Sequence, residues 1–191
     1  KSIAMSYPSK PYVAVEKRLD FSTYVPEGFG TGDCIIIGGT TLRVIDFKYG
    51  KGVPVSAEWN PQMLLYALGA LSAYTLLFNI TDIQLTIIQP RLDSISEFSL
   101  NRADLEAWGN YILALAEKAF AGEGEFAPGE WCRFCRARQL CRARSDFNVS
   151  LEGSKGLKPP LISNEEVGDL LKRAQDLVKW AEDLEAYALT A

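Results

Sequence analysis

Two apolar stretches face each other across a glycine-rich turn, and this pairing constrains the chain more than any other feature. Asp33-Cys34-Ile35-Ile36-Ile37 runs into Gly38-Gly39-Thr40-Thr41, which leads to Leu42-Arg43-Val44-Ile45-Asp46-Phe47-Lys48-Tyr49. Branched apolar residues on both sides of such a turn predict a β-hairpin. Successive strand residues alternate faces, so Asp46 and Lys48 point the same way. A four-residue loop at 38–41 sets Asp33 opposite Asp46, and a two-residue loop at 38–39 sets it opposite Val44. Either even-length loop places both aspartates and the lysine on one face. Two carboxylates and an ammonium among apolar strand residues are costly to bury without a purpose.

The surrounding chain supplies a frame for the hairpin. Residues 12–20 read as a strand, followed by a loop containing Pro26, Gly28, Gly30 and Gly32. Asn60-Pro61 is a helix start signal, and the apolar run 61–77 suits a largely buried helix. Residues 83–89 read as a further strand, Ile95–Leu100 as a candidate one, and Asn101 to about Phe120 as an amphipathic helix. The expected class is α/β, a mixed central β-sheet flanked by helices, with a C-terminal cysteine segment and helix. The expected divisions are a core at 1–129, a cysteine- and arginine-rich segment at 130–150, a linker at 151–162 and a helix at 163–191. Ser163 with Glu166 forms a capping box for that helix.

Composition narrows the chemistry. The 191 residues contain no histidine, which removes catalytic triads, Cys-His pairs and histidine-ligated zinc hydrolases. Lysine and arginine total 20 against 24 acids, a net charge of −4, so any contact with nucleic acid must come from a local patch. No apolar run approaches the ~20 residues of a membrane-spanning helix. No signal peptide opens the chain. A start at Lys1 and an end within a helical pattern read as a piece of a longer protein.

The purpose that fits the Asp33, Asp46 and Lys48 cluster is a hard divalent cation. Paired aspartates suit Mg²⁺ or Mn²⁺, which keep several waters and accept phosphate oxygens. Lys48 beside them can orient an attacking water and stabilise phosphate charge. The competing reading is a loop-end aspartate with an Asp46–Lys48 surface ion pair. Gln62 and Tyr66, at i and i+4, share a helix face that can look toward the hairpin. They equally suit a helix that merely packs on the sheet.

Gly32-Asp33, Asp46-Phe47-Lys48 and Gln62-x-x-x-Tyr66, in this order, resemble the PD-(D/E)XK nuclease superfamily in its RecB-like branch. More narrowly, Asp46-Phe47-Lys48-Tyr49-Gly50-Lys51-Gly52, Asn60-Pro61-Gln62, Gln89-Pro90-Arg91 and Cys132-Arg133-Phe134-Cys135 are similar to a phage- and prophage-associated family with a C-terminal cysteine cluster. The resemblance spans roughly residues 12–145. It implies a restriction-endonuclease-like core and a Mg²⁺- or Mn²⁺-dependent deoxyribonuclease acting on phage or prophage DNA. The setting it implies is the cytoplasm of a bacterial host, beside phage recombination or replication proteins. Asp33, Asp46 and the Phe47 carbonyl would be metal ligands, Lys48 the catalytic lysine, and Gln62 and Tyr66 supporting residues. Glu16 is the candidate for an upstream acid. The alternative is a catalytically inactive DNA-binding or protein-interaction module on the same fold.

Cys132-x-x-Cys135-x₅-Cys141 has the spacing of a metal knuckle. The resemblance implies a [4Fe–4S] cluster there, with Zn²⁺ as the alternative and empty thiols as a third, because a fourth thiolate is not evident. Cys34, next to Asp33, is expected on the opposite side of its strand, in the core. Arg133, Arg136, Arg138, Arg142 and Arg144, with Arg91 upstream, can meet phosphates or form a solvated face packed on acidic neighbours. Trp131 and Phe134 can stack on bases or pack around the cysteines.

Overall fold

A computed structural model describes residues 5–50, 52–150 and 164–190. The expected linker 151–162, Ser163 of the capping box and Lys51 lie outside these residues. The described elements are β1 (Tyr12–Asp20), β2 (Phe29–Gly38), β3 (Thr41–Phe47), α1 (Pro61–Tyr74), β4 (Asp82–Gln89), β5 (Ser94–Asn101), α2 (Arg102–Phe120), α3 (Arg142–Val149) and α4 (Asn164–Ala188). They divide into two compact units, one through Glu123 and one from Gly124. No helix among the described residues is long and apolar enough to cross a membrane.

The first unit is α/β. Its sheet runs β1-β2-β3-β4-β5, with β3 and β4 parallel and the other neighbours antiparallel. A parallel pair needs a crossover, and α1 lies within it. Asn60 caps α1, its side chain accepting from the Met63 N–H at 3.2 Å, and Pro61 takes the first turn, where no N–H is needed. Ile35 and Ile37 of β2, Leu42 and Val44 of β3, and Ile83, Leu85 and Ile87 of β4 share one buried cluster with Met63, Leu64, Ala67, Leu68 and Leu71 of α1. Burying each large aliphatic side chain is worth roughly 1.5–3 kcal/mol. Asp46 continues the Leu42–Val44 series, so the most strongly driven burial in the unit carries its carboxylate inward.

The hairpin closes more tightly than a four-residue loop but keeps that loop's register. Gly38 pairs with Thr41 around Gly39-Thr40, and Ile37, Ile35 and Cys34 face Leu42, Val44 and Ile45. One step further, Asp33 stands across from Asp46. Gly39 takes a φ of +59°, a backbone that β-branched residues avoid.

Two boundaries differ from the sequence expectation. Strand β2 begins at Phe29, so Gly30 and Gly32 belong to the sheet rather than to a loop. A Cβ on Gly30 would stand 2.5 Å from Cε1 of Tyr66, which shows why glycine sits there: the ring lies directly on the strand. Helix α1 ends at Tyr74 rather than 77, because the Tyr74 carbonyl accepts from Leu77 and Phe78 in a tight turn. Leu76 and Leu77 continue the apolar pattern yet stand exposed.

The second unit packs α3 on α4 through charge. Arg144, 2% exposed, pairs with Asp176 at 3.1 Å and Asp183 at 2.8 Å, and Arg138 pairs with Asp183 at 3.0 Å. Burial pushes the Asp183 carboxyl up, but hydrogen bonds and charge from Arg144 and Arg138 outweigh it and hold the group below the usual carboxylate range.

Candidate functional site

The last turn of β3 and the first turns of α1 bring four of the expected residues into one polar cluster. Lys48 Nζ lies 3.0 Å from Asp46 Oδ2 and donates to Gln62 Oε1 at 3.0 Å. Gln62 Nε2 donates to Asp46 Oδ1 at 3.3 Å and to the Tyr66 hydroxyl at 3.2 Å. Residues 62 and 66 share a helix face, so one amide links acid, amine and phenol. Asp33 joins from β2, its Oδ2 accepting from the Phe47 N–H at 2.7 Å. Asp46 is buried at 6% exposure, whereas Asp33 and Lys48 are half-buried. The cluster therefore has a closed floor and an open side.

The donor set suits a hard cation. Asp46 Oδ2 is buried and makes no hydrogen bond beyond its ion pair with Lys48, so this carboxylate oxygen keeps a further lone pair for a cation. Mg²⁺ commonly takes one or two carboxylates and completes its shell with water and phosphate oxygens. Asp33 and Asp46 meet that need without a third acid. Among the described residues no group of three or more His, Cys, Asp or Glu is gathered to hold a metal ion.

Glu16 accordingly does not join the two aspartates in such a group. It is exposed and takes a φ of 50° in the middle of β1. Val15 faces Cys34 and Lys17 faces Gly32, so Glu16 stands across from Asp33. Its left-handed backbone shifts the side-chain alternation of β1, and Leu19 rather than an even-numbered residue enters the core.

A second tier of residues positions this cluster. Gln89, 3% exposed, accepts from the Val55 N–H at 2.7 Å, and Ser96 Oγ accepts from the Ala57 N–H at 2.9 Å. Together they pin the segment that leads into Asn60 and the start of α1. A buried amide at the end of the apolar run Ile83–Gln89 was the available signal for Gln89. Nothing local distinguishes Ser96.

The cysteine segment is arranged differently from its spacing. Cys132 is buried and accepts from the Gly129 N–H at 3.4 Å, Cys135 is exposed and Cys141 half-buried, all as free thiols. The three thiols are not gathered as a metal site. Cys34 belongs to the first unit, and burial pushes its thiol up, toward the inert neutral form. Arg138 and Arg144 are committed to Asp183 and Asp176, while Arg91, Arg133, Arg136 and Arg142 remain exposed. The Arg133 guanidinium lies 4.6 Å from the Phe134 ring centroid.

The family described as "Protein of unknown function (DUF2800)" matches residues 2–191. The chain belongs to this family. A solved structure described as "Crystal structure of SSO0001" is similar to the DUF2800 chain at 23% identity and a TM-score of 0.36. The match covers 69% of the DUF2800 chain and 60% of the other, so the chain spans less than two thirds of that protein's length.

Proposed function

We propose that this DUF2800 chain is a metal-dependent deoxyribonuclease of the PD-(D/E)XK type, RecB-like branch, that hydrolyses phosphodiester bonds in phage or prophage DNA processing. One observation carries the reading: a buried carboxylate, Asp46, pairs through Oδ2 at 3.0 Å with a lysine ammonium that Gln62 also holds, beside a second carboxylate, Asp33, on the neighbouring strand. Lys48 on Oδ2 and Gln62 on Oδ1 leave each carboxylate oxygen with acceptor capacity to spare, which a cation can use.

Asp33, Asp46 and the Phe47 carbonyl would hold Mg²⁺ or Mn²⁺. When bound, the ion would polarise the scissile phosphate and lower the pKa of a coordinated water. The protein's own groups do the rest. Lys48 Nζ, fixed between Asp46 Oδ2 and Gln62 Oε1, is the donor available to orient the attacking water and offset charge building on the phosphate. Gln62 and Tyr66 keep that ammonium from swinging out to solvent, so its hydrogen bond is preorganised. Water adds to phosphorus, the ester P–O bond breaks, and the departing oxygen takes up a proton. Arg91, Arg133 and Arg136 are exposed cations able to meet the backbone of an acidic substrate. Thiol-held iron–sulfur or zinc is a separate proposal, outside this mechanism, since Cys132, Cys135 and Cys141 would have to draw together on loading.

The test is a Mg²⁺ and Mn²⁺ panel on linear, circular and single-stranded DNA with Asp46→Asn and Lys48→Gln as controls. Cleavage is expected in wild type alone, falling at least about 100-fold in each variant while both keep the wild-type circular dichroism. Wild-type protein that shifts DNA in a gel yet never cuts it with any metal would sink the enzyme and leave the inactive DNA-binding module.

A further inference from the structure

Strand alternation turns Asp46 and Lys48 to one side and leaves Phe47 and Tyr49 on the other. Phe47 and Tyr49 are 53% and 65% exposed. Their rings nonetheless stack, with planes 16° apart and centroids 6.1 Å apart. The Arg91 guanidinium lies 5.2 Å from the Tyr49 centroid, adding a cation to the same spot. The backbone beneath is fixed, since the Phe47 N–H donates to Asp33 Oδ2 at 2.7 Å and the Lys48 N–H donates to the Ile88 carbonyl at 2.9 Å. The rings are thus tied through the main chain to the acid–lysine cluster. Strand β3 ends at Phe47, so an extended ligand can pass from one side to the other where the chain leaves the sheet.

Flat, near-parallel aromatic faces beside a cation match a nucleobase and its phosphate: the base supplies a second π surface and the backbone supplies the anion. In a duplex the base faces are already covered by their neighbours, so such a surface selects unpaired bases. A folded protein is a poorer occupant. Two rings and one arginine fall far short of the roughly 800 Å² per partner of a stable protein interface.

We infer that Phe47, Tyr49 and Arg91 form a stacking platform that seats an unpaired base of single-stranded DNA beside the Asp46–Lys48 site. This rests on the nuclease reading and adds to it the substrate class, a single strand or a frayed end.

Fluorescence anisotropy with a labelled single-stranded oligonucleotide and its duplex, both in EDTA, isolates binding from cleavage. Wild-type protein is expected to prefer the single strand about tenfold or more. Phe47→Leu and Tyr49→Leu each weaken single-strand binding on the order of tenfold, leave duplex binding unchanged, and are restored by Phe47→Trp and Tyr49→Trp. Arg91→Gln probes the same platform from outside β3 and weakens the single strand likewise. Equal affinity for the two DNA forms, or full single-strand affinity in the leucine variants, would overturn the platform. Metal-dependent cleavage without single-strand preference discards the platform and keeps the nuclease. Single-strand preference in a protein that never cuts does the reverse.

Discussion

If the proposed nuclease reading holds, Gly30→Ala tests whether the Tyr66 ring sets the geometry of the Asp46–Lys48 site. The added methyl would meet Tyr66 Cε1 at 2.5 Å, Cζ at 3.2 Å and the hydroxyl oxygen at 3.3 Å. Ordinary contact begins near 3.4 Å, so the ring must withdraw by about 0.9 Å. The Tyr66 hydroxyl now sits 3.2 Å from Gln62 Nε2, already at the long end of hydrogen-bond reach, and a retreat away from Gln62 is expected to break the contact. Gln62 then loses one of the contacts that hold its amide toward Lys48. Overpacking of this kind costs roughly 1–3 kcal/mol. The reduced freedom of the unfolded chain offsets about 0.4–1 kcal/mol. A net loss of about 1–2 kcal/mol leaves the protein folded, whereas a misplacement of about 1 Å at a reacting group lowers turnover by up to roughly 100-fold. The assay is Mn²⁺-dependent cleavage rate alongside a denaturant midpoint, run on Gly30→Ala, Tyr66→Phe and the double variant. If the methyl acts by displacing the hydroxyl, the double variant is little worse than either single one. Wild-type turnover in Gly30→Ala, or losses that multiply in the double variant, would refute the link from Gly30 through Tyr66 to Lys48.

Acid sensitivity is expected in the second unit. Asp183 is held below the ordinary carboxylate range in the folded state, so its contribution is complete above the unfolded value near 4 and drains as pH falls through the folded one. Hydrogen exchange in α3 should therefore accelerate below about pH 4, and an unchanged rate down to pH 2 would contradict the pairing. At neutral pH Arg144→Met should cost roughly 1.5–3 kcal/mol by guanidinium unfolding, since Asp176 loses its ion pair and Asp183 keeps only Arg138. The thiol arrangement predicts that Cys135, the exposed one, reacts fastest with an aromatic disulfide reagent; iron, sulfide and zinc analysis of protein purified without oxygen tests the separate cluster proposal. A brown preparation with one cluster per chain would establish that the segment closes around a metal.

The residues legible in the sequence are those whose geometry is local. Strand alternation set Asp46 and Lys48 together whatever the turn, and Asn60-Pro61 started α1 where Gln62 and Tyr66 fall on one face. The hairpin kept its register because a slip by one would turn Leu42 and Val44 out of the core. Packing of Arg144 on acidic neighbours was one of two sequence readings, but its burial was not legible, because its partners lie 32 and 39 positions away and no local pattern marks an arginine as buried.

Glu16 marks where alternation stops being a guide. Counting by twos from Tyr12, which packs on Tyr74, sends residue 16 toward α1 and residue 19 away from it. The chain does the opposite at Leu19, which is fully buried, with the left-handed residue 16 lying between them while the strand register is unchanged. A glutamate has no intrinsic preference for that backbone, so tertiary packing imposes it: Leu19 fills the space beside Gly32 and Gly69, where a Cβ at either glycine would meet its side chain at 2.9–3.0 Å. The same change of alternation leaves Glu16 exposed across from Asp33. Under the proposed nuclease reading, a metal ion on this unit would rest on Asp33, Asp46 and the Phe47 carbonyl, and its remaining ligands would come from water and the substrate phosphate.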